Sequence, residues 1–234
     1  MKTVLGIGAH PDDLEISCGG TLVRFKQQGW KVVMASACRG DKNGAAGKNE
    51  SIEETRKRES CEAAAIAGAE SVILGFPDSE VFPGIALRKA IVDLVRRVKP
   101  EVVITHFPGD YHADHRTVAD EVTKSVYTAS SMGFKTAHKP VVTIPVIYCM
   151  EPLAGIGFLP SEYVDISRVM DMKLLMLKKH KSQFKAIKER GGTDILRRVA
   201  DVAKFRGWQS GARYAEAFQL CQCWPNMKTW RTLP

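Results

Sequence analysis

The sequence predicts an α/β fold: a Rossmann-like, doubly wound, mainly parallel sheet with helices on both faces and an irregular C-terminal region. Short apolar runs of strand length alternate with longer amphipathic stretches of helical period, and the connections between them are short. No repeat, low-complexity tract or break in composition divides the 234 residues, so one domain over 1–234 is expected.

In chain order, residues 2–8 read as a buried strand, 18–28 as a helix and 31–37 as a second strand. A loop rich in Gly, Lys and Asn over 39–49 leads to a long alanine-rich helix over 50–68. A short strand at 71–74 precedes a helix at 85–98 that Pro100 ends, and a fourth strand at 101–105 precedes a helix at 114–130. Beyond Pro140 the pattern loosens. Strands are expected at 141–149, 163–166 and 214–220, with helices at 167–190 and 193–205.

Hydrophobic residues make up 44% and charged residues 26%, which excludes collagen-like and disordered classes. The N-terminal apolar run meets Asp12 and Asp13 too soon for a signal peptide, and no stretch reaches the roughly 18 apolar residues of a membrane span. A cytoplasmic protein without a membrane span is expected. Cysteines 18, 38, 61, 149, 221 and 223 form no CxxC pair and read as small buried apolar residues; Cys221 and Cys223 alternate as on a strand, a weak metal signal.

The net charge is +8, and residues 173–206 carry eleven Lys/Arg against three Asp/Glu, a surplus equal to the whole. A basic helical stretch is ordinarily a solvated face; it also suits an anionic substrate. With little aromatic interleaving and no nucleic-acid motif, no nucleic-acid partner is expected.

Chemistry concentrates after the first and fourth strands. Ala9-His10-Pro11-Asp12-Asp13-Leu14-Glu15 follows strand one, and His106-Phe-Pro-Gly-Asp110-Tyr111-His112-Ala113-Asp114-His115 follows strand four. Open parallel sheets bind ligands beyond the carboxyl ends of strands at the point where strand order reverses, and there strands one and four adjoin. Gly6-x-Gly8 opens like a dinucleotide fingerprint, but Pro11 takes the third glycine's place and two carboxylates would repel pyrophosphate. A lone loop histidine is more often a hydrogen-bonding residue than a ligand, Asp114 alone would serve as a helix N-cap, and paired aspartates are common in solvated turns. Those separate explanations do not account for three histidines and three aspartates gathered after two adjoining strands.

Two imidazoles and a carboxylate leave a divalent ion an open position, the pattern of a catalytic site. The expected ligands are His10, Asp13 and His115. Asp12, too close along the chain to share that ion easily, is the expected general base. His112, protonated, would stabilise an oxyanion and donate to a leaving amine, and Asp114 would orient an imidazole. Glu15 is expected to fix the loop. This donor set fits zinc and equally ferrous iron. Among the other histidines, His106 is expected to give structural support and His138 and His180 to lie on the surface. Trp208, Trp224 and Trp230 are expected to be buried or oligomer-facing more readily than stacked on a sugar.

AHPDDLE resembles the AHPDDxE signature of the PIG-L/LmbE de-N-acetylases, and His112-Ala-Asp-His115 resembles their HxDH motif, with Ala113 where many members have Pro. Arg56 and Glu59, Phe76-Pro77-Asp78, Lys181-Ser-Gln-Phe184 and Tyr214-Ala-Glu-Ala-Phe218 extend the likeness over most of the chain. The resemblance implies a Rossmann-like fold, one zinc ion, the same roles for His10, Asp12, Asp13, His112, Asp114 and His115, and substrate contacts from Arg56 and Asp78. It implies a homo-oligomer, hexamer or trimer, and removal of an acetyl group from an N-acetylglucosamine-containing small molecule. Two alternatives stand beside it: hydrolysis of a non-sugar acyl amide, and a non-catalytic metal- or sugar-binding module.

Overall fold

The computed structural model describes residues 1–189, 192 and 194–222. Its seven strands are β1 (Thr3–Gly8), β2 (Lys31–Cys38), β3 (Glu70–Phe76), β4 (Val102–Thr105), β5 (Val146–Met150), β6 (Glu162–Asp165) and β7 (Ala215–Leu220). Its helices are α1 (Asp13–Ser17), α2 (Gly19–Gln27), α3 (Ile52–Ile66), α4 (Ile85–Val98), α5 (Ala113–Thr128), α6 (Met170–Leu177), α7 (Lys181–Glu189) and α8 (Ile195–Ser210).

The sheet order is β3-β2-β1-β4-β5-β7-β6. The first five strands in that order are parallel, and only the pairings of β7 with β5 and β6 are antiparallel. β1 is flanked by β2 and β4, so the order reverses beside it and the two ligand-rich loops leave adjacent strand ends, as the sequence predicts.

Successive residues along the central strands feed two separate cores. Val4, Val32, Met34, Val102, Ile104 and Val146 pack with Leu22 and Phe25 of α2, Ala63 of α3 and Met176 of α6. Leu5, Ile7, Val33, Ala35, Val103 and Ile147 pack with Ile91 and Val95 of α4 and Val118 and Val122 of α5. Burying both faces explains why these strands read as unbroken apolar runs. Glycine at positions 6 and 8 lets α1 lie against β1: a Cβ on Gly6 would stand 3.0 Å from Leu14 Cδ1, and one on Gly8 3.0 Å from Asp13 Cβ. The glycine pair thus serves close packing of the turn after β1.

Several boundaries differ from expectation for local reasons. The helix expected at 18–28 is preceded by a separate turn, α1, because Cys18 at φ −142° breaks the two. Ser51 and Glu54 form a reciprocal capping box that starts α3 at Ile52, a signal present in the sequence as Ser-x-x-Glu. The strand expected at 141–149 begins only at Val146, because Pro145 has no N–H for the ladder. The single helix expected at 167–190 is two, α6 and α7, parted at residues 178–180; Arg190 lies outside the described residues. Among the described residues no helix is long and apolar enough to cross a membrane.

Candidate active site

The turn after β1 is tightly wound. Asp12 adopts φ 128°, a conformation that non-glycine residues rarely occupy, and its carbonyl accepts from Ile16 N at 3.0 Å. Such strain persists only where neighbours over-determine it. Here Arg56 of α3 does so: Nη2 donates to Pro11 O at 2.5 Å and to Asp12 Oδ1 at 3.1 Å. Arg56 is 2% exposed, so its guanidinium is spent largely on the turn itself.

His10 and Asp13 leave this turn toward the end of β4. The His10 Nε2 lies 2.9 Å from Asp114 Oδ2, which also accepts from Ser79 N at 2.8 Å. His10 Nδ1 is 3.6 Å from Asp13 Oδ2, and His115 Nε2 is 3.4 Å from Asp13 Oδ1. The His10 and His115 ring centres are 5.5 Å apart, close enough to share an ion. On its other side His115 Nδ1 lies 2.9 Å from Asp110 Oδ2. Each imidazole therefore has one nitrogen held by an aspartate and the other turned toward Asp13, the orientation metal-ligating histidines take.

The structure brings all six expected residues of the cluster together. Ligand atoms of His10, His112 and His115 lie within 4.8 Å of one another, as do those of Asp13, His106 and His115, and those of His10, Cys38 and Asp114. His112, not Asp114, caps α5: its Nδ1 accepts from Asp114 N at 3.2 Å. That bond favours the neutral tautomer with a proton on Nε2. Burial and the neighbouring His115 and His10 charges lower the His112 pKa, opposing the protonated form expected from sequence.

Electrostatically the cluster draws positive charge. Burial disfavours charge on His10, but its bonds to Asp114 and Asp13 outweigh this and raise its pKa. His115, under the same opposition from burial, is raised to about 9 by the charge of Asp13 and its bond to Asp110. Burial alone would raise the Asp13 carboxyl; the facing imidazoles of His115, His106 and His10 hold it well below the ordinary value. A divalent cation takes the same nitrogen lone pairs that protons take, so the donor set fits a metal ion.

Sequence reading missed several participants. Asp110 carries no assigned role in the sequence pattern, although an acid five residues before a helical histidine is placed to reach that histidine. His106 does give structural support, accepting from Ala9 N at 2.8 Å, and it also lies 3.0 Å from Asp13 Oδ2. Burial and His115 lower its pKa to about 4, which keeps it neutral. Cys38, expected to be simple core, is buried at the end of β2 beside His10 and Asp114. His180 is not a surface residue: it is fully buried, with Nε2 3.1 Å from Glu15 Oε1. His138 is exposed and pairs with Asp93. Cys61 is exposed rather than core, and Cys223 lies outside the described residues. Trp208 is 80% exposed, while Trp224 and Trp230 lie outside the described residues.

A cleft of about 280 Å³ opens over the cluster, lined by His10, Asp12, Arg56, Asp78, His112 and Gln183 among others. Asp78 is buried; Oδ1 accepts from Gly40 N at 2.9 Å, while Oδ2 stands 3.6 Å from Arg56 Nη1 without a hydrogen bond. Of the basic residues in 173–206, Lys173 and Arg206 are buried against Glu216 and Glu151, so part of that surplus is neutralised inside the fold.

A doubly wound sheet with an imidazole–carboxylate donor cluster at its switch point defines the class: an α/β protein with a candidate metal centre. The chain belongs to the PIG-L family, whose model, described as GlcNAc-PI de-N-acetylase, matches residues 5–126. It is 30% identical to the diacetylchitobiose deacetylase of Thermococcus kodakarensis over 94% of this chain and 83% of that protein. It is 26% identical to a 4-oxalmesaconate hydratase of Pseudomonas putida over 74% of this chain and 70% of that protein. The solved N,N'-diacetylchitobiose deacetylase of Pyrococcus horikoshii superposes with a TM-score of 0.80 at 25% identity, covering 94% of this chain and 84% of that one.

Proposed function

We propose that this chain is a metal-dependent amidohydrolase that removes the N-acetyl group from an N-acetylglucosamine-containing small molecule. The observation that carries the reading is the convergence of His10 Nδ1 and His115 Nε2 on the Asp13 carboxylate, with each imidazole held from behind by an aspartate. The deacetylase named above as a 30% identical relative supports the acyl-sugar substrate.

His10, Asp13 and His115 would hold the ion, zinc or ferrous iron. When bound, it supplies Lewis acidity toward water and toward the carbonyl oxygen. Asp12 lines the cleft and takes a proton from water as the water oxygen adds to the amide carbon. Burial raises the Asp12 carboxyl, against the pull of Arg56, which suits a base that must also give its proton back. His112 offers its Nε2–H to the developing oxyanion. The C–N bond then breaks, the nitrogen takes the proton from Asp12, and acetate and a free amine leave. Asp114 orients His10, and Asp110 orients His115. Arg56 and Asp78 line the cleft, and Asp78 Oδ2, ion-paired with Arg56 Nη1, and the Nε of Arg56 lack hydrogen-bond partners, which supports contacts to sugar hydroxyls.

The basic residues of 173–206 that remain on the surface support an anionic substrate, with activity that falls as ionic strength rises. A homo-oligomer and a cytoplasmic location accord with this reading. A second reading, water addition to an unsaturated carboxylate, is favoured by the hydratase relative. The test is a panel of N-acetylated thiol-sugar precursors, chitobiose, nucleotide sugars, simple acyl amides and unsaturated dicarboxylates. It is run after chelation and again after restoring zinc or ferrous iron. Free amine and acetate from the acetylated sugars, lost on chelation and recovered with metal, are expected. Turnover of the dicarboxylates alone transfers the site to the hydratase reading, and tight sugar binding without turnover leaves a binding module.

A further inference from the structure

The buried imidazole of His180 has no place in the chemistry above, yet it stands behind the residue on which that chemistry depends. His180 forms the corner between α6 and α7, donating its N–H to Leu177 O at 3.1 Å and accepting from Gln183 N at 3.1 Å. Its side chain is 0% exposed. Nε2 lies 3.1 Å from Oε1 of Glu15, itself 3% exposed on α1. The contact is close but not aligned as a hydrogen bond, and neither ring nitrogen has a directed partner. A buried charged pair is an expensive way to join two helices unless orientation matters.

The residues next to His180 grip the other supports of the same turn. Ser182 N and Oγ bond the Glu59 carboxylate at 2.9 and 2.6 Å. Glu59 stands one helical turn beyond Arg56, the residue that bridges Pro11 O and Asp12 Oδ1. Gln183 Nε2 donates to Asn43 O at 2.8 Å, a carbonyl that Arg56 Nη1 also approaches at 3.4 Å. Thus residues 180–183 fasten α1, α3 and the loop after β2 at three points around Asp12. The charged groups facing His180 are Glu15 and Asp12, which attract it, and Arg56, which repels it.

Resting on the reading of Asp12 as general base, we propose that His180, seated on Glu15, is a positioning residue for Asp12 that holds its strained backbone and carboxylate in the reactive orientation. Metal ligation is left to other residues. Misplacing a reacting group by about 1 Å costs on the order of 100-fold in rate.

The test compares metal-loaded wild type with His180→Gln and, as a second variant should that one not fold, Glu15→Gln. The expected result is a kcat about 10- to 100-fold lower, KM changed by less than about 3-fold and unchanged metal content. In an Asp12→Asn background the same substitution costs less than about 2-fold more, because the group it positions is gone. Equal losses in both backgrounds, or wild-type kcat in a folded, metal-loaded variant, overturn the proposal. Crystal structures give a readout independent of activity: φ of Asp12 leaves the neighbourhood of 128° in the variants. An unchanged Asp12 turn overturns the positioning role even if wild type hydrolyses no acyl sugar, an outcome that would separately remove the deacetylase reading.

Discussion

Asp110 holds His115 from behind: its Oδ2 lies 2.9 Å from Nδ1, leaving Nε2 for Asp13 and the candidate metal position. Asp110 is 2% exposed and also accepts from His112 N, so one carboxylate sets the position of both histidines at the start of α5.

Removing it uncouples ring orientation from the donor set. Asp110→Ala is expected to weaken metal affinity about 10- to 100-fold, measured by competition with a chelator of known affinity. Wild-type affinity in the variant would show that the pair is not an orienting one.

Asp12→Asn keeps the shape of the turn and its contact with Arg56 but cannot take a proton. A loss in kcat of roughly 100- to 10,000-fold with full metal content is expected from steady-state kinetics and metal analysis. A variant as fast as wild type assigns the base elsewhere.

Lys173 and Glu216 form a buried ion pair at 2.5 Å, and Glu216 also accepts from Gly20 N and Thr21 N, tying β7 to the start of α2. Lys173→Met strands that carboxylate. Urea unfolding should show a loss of about 3–5 kcal/mol, and Lys173→Met with Glu216→Gln should recover part of it. A loss within experimental error would mean the pair is dispensable.

The charge of Glu15, followed by its contact, raises the His180 pKa against the opposing effect of burial. A group whose folded pKa is raised binds protons more tightly when folded. Its stabilising contribution is complete below the unfolded value near 6.5 and disappears as pH rises through the folded value. The stability gap between wild type and His180→Gln should therefore be widest below about pH 6.5 and narrow on raising the pH. A gap that widens with pH reverses the sign of the proposed interaction.

The pattern of apolar runs was enough to place β1, β2, β4 and α4 to within a few residues, because strands buried on both faces and an amphipathic helix of 14 residues write their period into the chain. The break between α6 and α7 was not legible: the residues around 178–180 keep helical composition, and the contact of His180 with Glu15 at that corner exists only in the folded chain. The same holds for Cys38, whose place beside His10 depends on β2 pairing with β1 in register.

The sequence by itself singled out the candidate site residues. His10, Asp12, Asp13, His112, Asp114 and His115 are concentrated in two short segments, and local chemistry suffices to name them. Only the tertiary structure decided which partner each one has. Asp110 behind His115, Asp114 behind His10, Arg56 bridging the Asp12 turn and His180 on Glu15 join residues brought together by helix geometry or by strand order. A polar contact a few ångströms long leaves no mark on the spacing of residues up to 165 positions apart.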